Sequence, residues 1–157
     1  MQTSFTEKQL QNKDNKTSET IIRKCVHCGM CNATCPTYGI NGEELEGPRG
    51  RIYLIKDMLE NKKPATKEIT KHIDSCLSCY SCMTTCPSGV NYMHLIDHGR
   101  NYVEETYKRP FLDRVFRNIL SFVLPRPKMF LLMALSSKLI KPFSFLFPKF
   151  IRNALNL

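Results

Sequence analysis

The apolar positions divide the chain into three textures. From Met1 to Thr20 the residues are mostly Lys, Asn, Gln, Thr and Glu without an apolar period, and 1–20 reads as a flexible arm turning helical toward Ile21 and Ile22. Between Pro48 and Leu59 a helical period appears. Ile52, Ile55, Met58 and Leu59 share one face, and Pro48 stands in the first turn, where a missing N–H is tolerated. Asn61 to Pro64 ends that helix. A shorter helix is expected over Thr66 to Asp74, carrying Ile69 and Ile73 on one side. A third is expected over Tyr92 to Tyr107, capped by Asn91 and striped with Leu95, Ile96, Tyr102 and Val103. Thr37 to Gly50 is expected to be a loop, because Gly39, Gly42, Gly47, Pro48 and Gly50 punctuate it. No stretch alternates as a strand does, so the fold class is mainly α.

From Phe111 the texture becomes more apolar. Phe111, Leu112, Val115, Phe116, Ile119, Leu120, Val123 and Leu124 make a broad face, with Arg114 and Arg117 opposite, until Pro125-Arg126-Pro127 breaks it. Met129 to Ile151 is apolar but interrupted by Lys138, Lys141, Pro142, Pro148 and Lys149. A spanning helix needs roughly 20 apolar residues, and the charge-free run Met129 to Ser137 is too short. The extension 108–157 is therefore expected to be basic, amphipathic and helical. It would form a core or interface of a larger protein or, as the sharper alternative, lie on a membrane surface.

Charge sharpens this division. The net charge of the 157 residues is +9. Residues 108–157 hold ten Lys or Arg against one acidic residue, whereas residues 25–107 hold eight against ten. The excess thus belongs to the tail, where basic residues interleave with large aliphatics rather than with base-reading side chains, so no nucleic-acid partner is expected.

The body between these textures carries the chemistry. Cys25, Cys28, Cys31 and Cys35, followed by Pro36, read CxxCxxCxxxCP, and Cys76, Cys79, Cys82 and Cys86, followed by Pro87, repeat it. These are all eight cysteines of the chain. The polar start lacks the apolar stretch of a secretory signal, so a cytoplasmic location with reduced thiols is expected. Thiolate is the soft ligand that iron–sulfur clusters take, and in two-cluster ferredoxins the fourth cysteine of such a run ligates the other cluster. The metal sites expected are two 4Fe–4S clusters, one on Cys25, Cys28, Cys31 and Cys86, the other on Cys76, Cys79, Cys82 and Cys35. Zinc suits paired CxxC motifs closed at four ligands and fits this doubled run poorly. Because each cluster would tie both runs together, the body is expected to be poorly ordered without metal. His27 is expected to donate to sulfur or lie at the surface, and His72, His94 and His98 to be structural or surface residues. Arg49 and Arg51, after the acidic Glu43-Glu44-Leu45-Glu46, are expected to form local ion pairs. No catalytic residues, phosphate loop or dinucleotide fingerprint appear.

The residues Lys24 to Tyr38, Gly47-Pro48-Arg49-Gly50-Arg51-Ile52-Tyr53-Leu54-Ile55-Lys56 and Cys76 to Val90 closely resemble the iron–sulfur subunit of bacterial glycolate oxidase, as do Arg109-Pro110-Phe111 and Leu124-Pro125-Arg126-Pro127. The resemblance covers about residues 21–157. It implies an α-helical two-cluster ferredoxin-type module at 21–107 serving as the electron-transfer subunit of an oxidoreductase. Flavin-binding dehydrogenase subunits as partners, with FAD on them alone, would oxidise glycolate to glyoxylate. Electrons would pass toward a membrane quinone, with peripheral contact at the cytoplasmic face of the inner membrane. The equivalent subunit of a lactate, glycerol-3-phosphate or heterodisulfide complex is an alternative, and a non-redox, metal-bound interaction module is another. Members of the family ordinarily continue into a region with Cys-Cys-Gly motifs. No cysteine follows Cys86 here, so the chain is read as a fragment or shortened relative whose tail would pack against that region in longer proteins.

Overall fold

The computed structural model describes the backbone of residues 1–140 and the side chains of residues 1–135. Within them the chain forms helices α1 (Glu7–Leu10), α2 (Lys13–Lys24), α3 (Pro36–Asn41), α4 (Pro48–Asn61), α5 (Lys67–Asp74), α6 (Ser81–Thr84), α7 (Tyr92–Thr106), α8 (Phe111–Val123) and α9 (Pro127–Ile140). Short 3-10 turns lie at Met30–Asn32 and Glu44–Glu46, and the described residues contain no strand. The mainly α reading stands. Two compact units result, Met1–Lys108 and Arg109–Leu157.

The three expected helices of the body form where their patterns predict. Thr66 caps α5 by accepting from the Ile69 N–H, and Asn91 caps α7 by accepting from the His94 N–H. Ile52, Ile55, Met58 and Leu59 of α4 meet Ile21 and Ile22 of α2, Ile73 of α5, and Leu95, Ile96 and Val103 of α7 in one buried cluster. Burying such a side chain is worth about 1.5–3 kcal/mol, so the first unit has an apolar core of its own beside the cysteine runs.

Two expectations are corrected. Residues 1–20 are not a free arm, for α1 and α2 occupy much of them. Thr6 caps α1 in a reciprocal capping box with Gln9. Gln9, only 5% exposed, donates its side-chain amide to the carbonyls of Leu59 and Glu60, both at 2.9 Å, and so covers the end of α4. The Ser4 N–H donates to Glu60 and the Thr3 hydroxyl to Glu19. A segment anchored by polar bonds to another helix's end shows no apolar period, which is why its sequence looks unstructured. The segment Thr37 to Gly50 is likewise not simply a loop. Pro36 opens α3, Gly42 ends it in the left-handed conformation, and the turn Glu44–Glu46 follows.

In the second unit, α8 and α9 follow the apolar pattern and the Pro125-Arg126-Pro127 break. Phe111, Leu112, Phe116 and Ile119 are exposed, as are Phe130, Leu131 and Leu132. Among the described residues no single helix is long and apolar enough to cross a membrane, although α8 and residues 127–135 would pass by length and composition as a pair bent by 114°. Lys141, Pro142, Pro148, Lys149 and Ile151 lie outside the described residues.

Candidate metal centre

Both cysteine runs adopt the same backbone device. The residue before the middle cysteine and the residue after it take positive φ: His27 (61°) and Gly29 (83°) around Cys28, Ser78 (53°) and Tyr80 (57°) around Cys79. A non-glycine residue in this region costs of order 1–2 kcal/mol, and three of the four are non-glycine. Such strain collects where a chain must curl tightly about something. The repeat seen in the cysteines is thus also a repeat of backbone conformation.

Each curl faces a cavity. Cys25, Cys28, Cys31, Cys82 and Cys86 line the first, which has about 440 Å³ of empty space open to solvent. Cys35, Cys76, Cys79 and Cys82 line the second, with about 300 Å³. The two cavities share Pro48, Cys82 and Tyr92 as a common wall. The four cysteines that the sequence assigns to each cluster thus line one cavity, one of the four coming from the opposite run, while Cys82 lines both cavities. All eight are free thiols.

The thiols are electrostatically coupled within each cavity and, through Cys31 and Cys82, between the two. Burial, followed by the Cys25, Cys86 and Cys28 thiols nearby, pushes Cys31 up to about 11. Burial, then Cys31, Cys76, Cys35 and Cys79, pushes Cys82 up to about 12. The Ser81 backbone N–H and then its hydroxyl draw Cys79 below its ordinary value. Four thiols crowded together and partly desolvated cannot all ionise unaided, because like charges in low dielectric disfavour one another. A bound cation at the centre removes that penalty. A donor set of cysteine sulfur, with at least four thiols at each cavity, fits a 4Fe–4S cluster.

The start of α4 separates the two cavities. Pro48 stands on the common wall, Arg49 lines the first cavity and Arg51 the second. Both arginines form the expected ion pairs, but of different kinds. Arg49 donates Nη2 to Glu44 Oε2 at 2.8 Å and is 30% exposed. Arg51 is 1% exposed. Its Nε donates to the His72 carbonyl at 2.7 Å, and its Nη2 to Glu46 Oε2 (3.0 Å), Ser75 Oγ (2.9 Å) and Thr37 Oγ1 (3.1 Å). That leaves Nη1 3.9 Å from Cys35 Sγ. Tyr92, also buried, aims its hydroxyl at Cys76 Sγ, 3.7 Å away. Burial lifts its phenol well above the ordinary value, so it stays a donor. Arg100 fixes the second loop by donating to the Ser78 hydroxyl at 2.7 Å and the Cys76 carbonyl at 2.6 Å.

The histidines fall as structural or surface residues. His27 is exposed, its ring edge toward Tyr53. His72 pairs through Nδ1 with Glu46 Oε1 at 2.7 Å, and His98 through Nδ1 with Ser18 Oγ at 2.6 Å. Nε2 of the half-buried His94 has no hydrogen-bond partner among the described residues. Sequence reasoning found the cysteines and the ion pairs but missed that Arg51 and Tyr92 reach cysteine sulfur. The available signal was the spacing of Arg49 and Arg51 about one proline-started helix turn.

The comparisons with known proteins agree with this site. Residues 21–90 match the family model described as a 4Fe-4S dicluster domain. The chain is 49% identical to the glycolate oxidase iron–sulfur subunit of Escherichia coli (strain K12) over 143 residues, which is 91% of this chain and 35% of that protein. It is 34% identical to the probable glycolate oxidase iron–sulfur subunit of Bacillus subtilis (strain 168), over 70% of this chain and 25% of that one. A succinate dehydrogenase iron–sulfur subunit of Paracoccus denitrificans is 30% identical over 45% of the chain and 29% of its own length. The chain thus spans about a third or less of the length of these relatives. No solved structure matches. By these comparisons, residues 21–90 resemble a 4Fe-4S dicluster domain, and the chain is similar over most of its own length to a third or so of a glycolate oxidase iron–sulfur subunit.

Proposed function

We propose that the chain is the cluster-bearing part of an electron-transfer subunit in a flavin-dependent 2-hydroxy-acid dehydrogenase complex, with glycolate oxidised to glyoxylate on partner subunits that carry FAD. The observation that carries this reading is the pair of cysteine-lined cavities on either side of a common wall. Bound clusters supply one-electron capacity, which divides a two-electron oxidation into single steps. The chain's own residues hold them. Cys25, Cys28, Cys31 and Cys86 ligate one; Cys35, Cys76, Cys79 and Cys82 ligate the other. Pro48, Cys82 and Tyr92 line both cavities and form the wall between them. No side chain is placed to act on an organic substrate, so substrate choice belongs to the partner. A quinone as the eventual acceptor is supported by one further relative, the succinate dehydrogenase [ubiquinone] iron–sulfur subunit of Candida glabrata, 30% identical over 52% of the chain. The exposed apolar residues of α8, beside basic side chains, suit docking against partner protein or the cytoplasmic face of a membrane.

Reductive titration followed by low-temperature EPR tests the electron-transfer reading. Reducible cluster signals are expected, and their absence from iron-loaded protein would sink it in favour of a structural metal module. For the ligand sets, Cys86→Ser is expected to damage the cluster otherwise held by Cys25, Cys28 and Cys31; selective loss of the other would reverse the assignment. Affinity isolation of the complex, with the recovered flavin subunit assayed on glycolate, lactate and glycerol 3-phosphate, separates the substrate alternatives.

A further inference from the structure

The two cavities differ in what the surrounding side chains present to sulfur. At the second, Arg51 Nη1 faces Cys35 Sγ at 3.9 Å and the Tyr92 hydroxyl faces Cys76 Sγ at 3.7 Å. Arg51 cannot turn away, because its other nitrogens are bound to His72, Glu46, Ser75 and Thr37. Glu46 balances its charge but sits on the Nη2 side, leaving the cationic edge toward the cysteine. The Glu46 carbonyl lies 3.7 Å from the same sulfur, yet it already accepts the Thr37 hydroxyl at 2.6 Å.

At the first cavity the dipoles point the other way. Asn32 Nδ2 donates to Glu44 Oε2 at 3.1 Å, and its Oδ1, which accepts the Arg49 backbone N–H at 3.4 Å, lies 3.9 Å from Cys31 Sγ. The one guanidinium lining this cavity, that of Arg49, gives Nε and Nη2 to Glu44 and is 30% exposed, so solvent screens its charge toward Cys31 far more than that of the buried Arg51 toward Cys35. An acceptor oxygen disfavours added negative charge on a neighbouring thiolate, whereas a buried guanidinium and a hydroxyl favour it. Hydrogen bonds to ligand sulfur are among the factors that set a cluster's potential.

We propose that Arg51 and Tyr92 make the cluster held by Cys35, Cys76, Cys79 and Cys82 the easier of the two to reduce, so that a single electron entering the chain comes to rest there. The direction of flow follows: the first cavity is the relay and the second the reservoir. This inference rests on the two-cluster reading above.

The test is an EPR-monitored reductive titration of the full, cluster-loaded chain, with iron and sulfide content measured first. Two one-electron steps are expected. Cys79→Ser should displace the upper step and Cys28→Ser the lower, which assigns them. Tyr92→Phe deletes one oxygen and keeps the ring, so folding is preserved. It should make the upper step three- to tenfold less favourable, the tenfold limit being 59 mV for one electron, and leave the lower step in place. Arg51→Lys, which endangers the buried network, should move the same step in the same direction where it loads. Movement of the lower step by Tyr92→Phe, or of neither step, would overturn the proposal while leaving two clusters in place. Protein without iron or sulfide would overturn the cluster reading beneath it.

Discussion

Glu44 and Glu46 stand two positions apart and each pairs with an arginine, but burial separates their worth. Glu46 is 2% exposed and is held by Arg51, Ser75 and His72. Burial alone would raise its carboxyl, yet the Ser75 and His72 hydrogen bonds and the Arg51 charge hold it below the ordinary value. Removing one member of such a pair leaves an uncompensated buried charge, at about 3–5 kcal/mol. Glu46→Ala is expected to lose stability in that range. Glu44→Ala, whose side chain is 43% exposed, should lose under about 1 kcal/mol. Denaturant midpoints of the two iron-loaded variants check the contrast, and equal losses would show that the Arg51 network is not the anchor described.

At the scale of elements, α4 is the spine of the first unit, and its first turn is packed against the turn Glu44–Glu46. A Cβ added at Gly50 would collide with the Glu44 carbonyl and Leu45 Cα, which are backbone and cannot swing aside. Gly50→Ala is therefore expected to destabilise the fold by about 1–3 kcal/mol and to loosen Arg49 and Arg51 together, seen as altered EPR line shapes for both clusters. Asn91→Ala should cost about 1 kcal/mol through the lost cap of α7, with line shapes unchanged; thermal unfolding reads the first and EPR the second. The helices with an apolar stripe were legible in the sequence for a simple reason. Burial of Ile52, Ile55, Met58, Leu95 and Ile96 writes itself into spacing. Residues 1–20 and 37–47 were not, because Gln9 holds to Leu59, Thr37 to Arg51 and Glu46 to His72 and Ser75, polar partners well separated along the chain. The ligand cysteines were legible because thiolate chemistry admits few substitutes. Arg51 and Tyr92 were not, because nothing local tells which sulfur a long side chain will reach.

Across the first unit, an apolar core and two thiol-lined cavities lie side by side, and they need not fail together. The expectation that the body is poorly ordered without metal is narrowed by the buried cluster joining α2, α4 and α7. On removal of iron by a chelator under reducing conditions, amide hydrogen exchange is expected to rise sharply over residues 25–35 and 76–90. There, the positive-φ residues flanking Cys28 and Cys79 lose the group they curl around. Exchange at Ile55, Met58, Leu95 and Ile96 should remain slow. Uniform loss of protection would show the clusters to be the whole core.

The exchange of fourth cysteines between the two runs also bears on how such a chain is made. On the proposed ligand sets, the cavity that begins at Cys25 waits for Cys86, and the one that takes Cys35 waits for Cys82. A nascent chain halted between the runs would therefore offer three thiols of one site and one of the other, and could finish neither. Both sites become complete within a few residues of each other, at the end of the second run. Insertion of the two clusters is then effectively one late event in synthesis, and a chain interrupted before Cys82 would leave the ribosome with nothing to show for its first four cysteines.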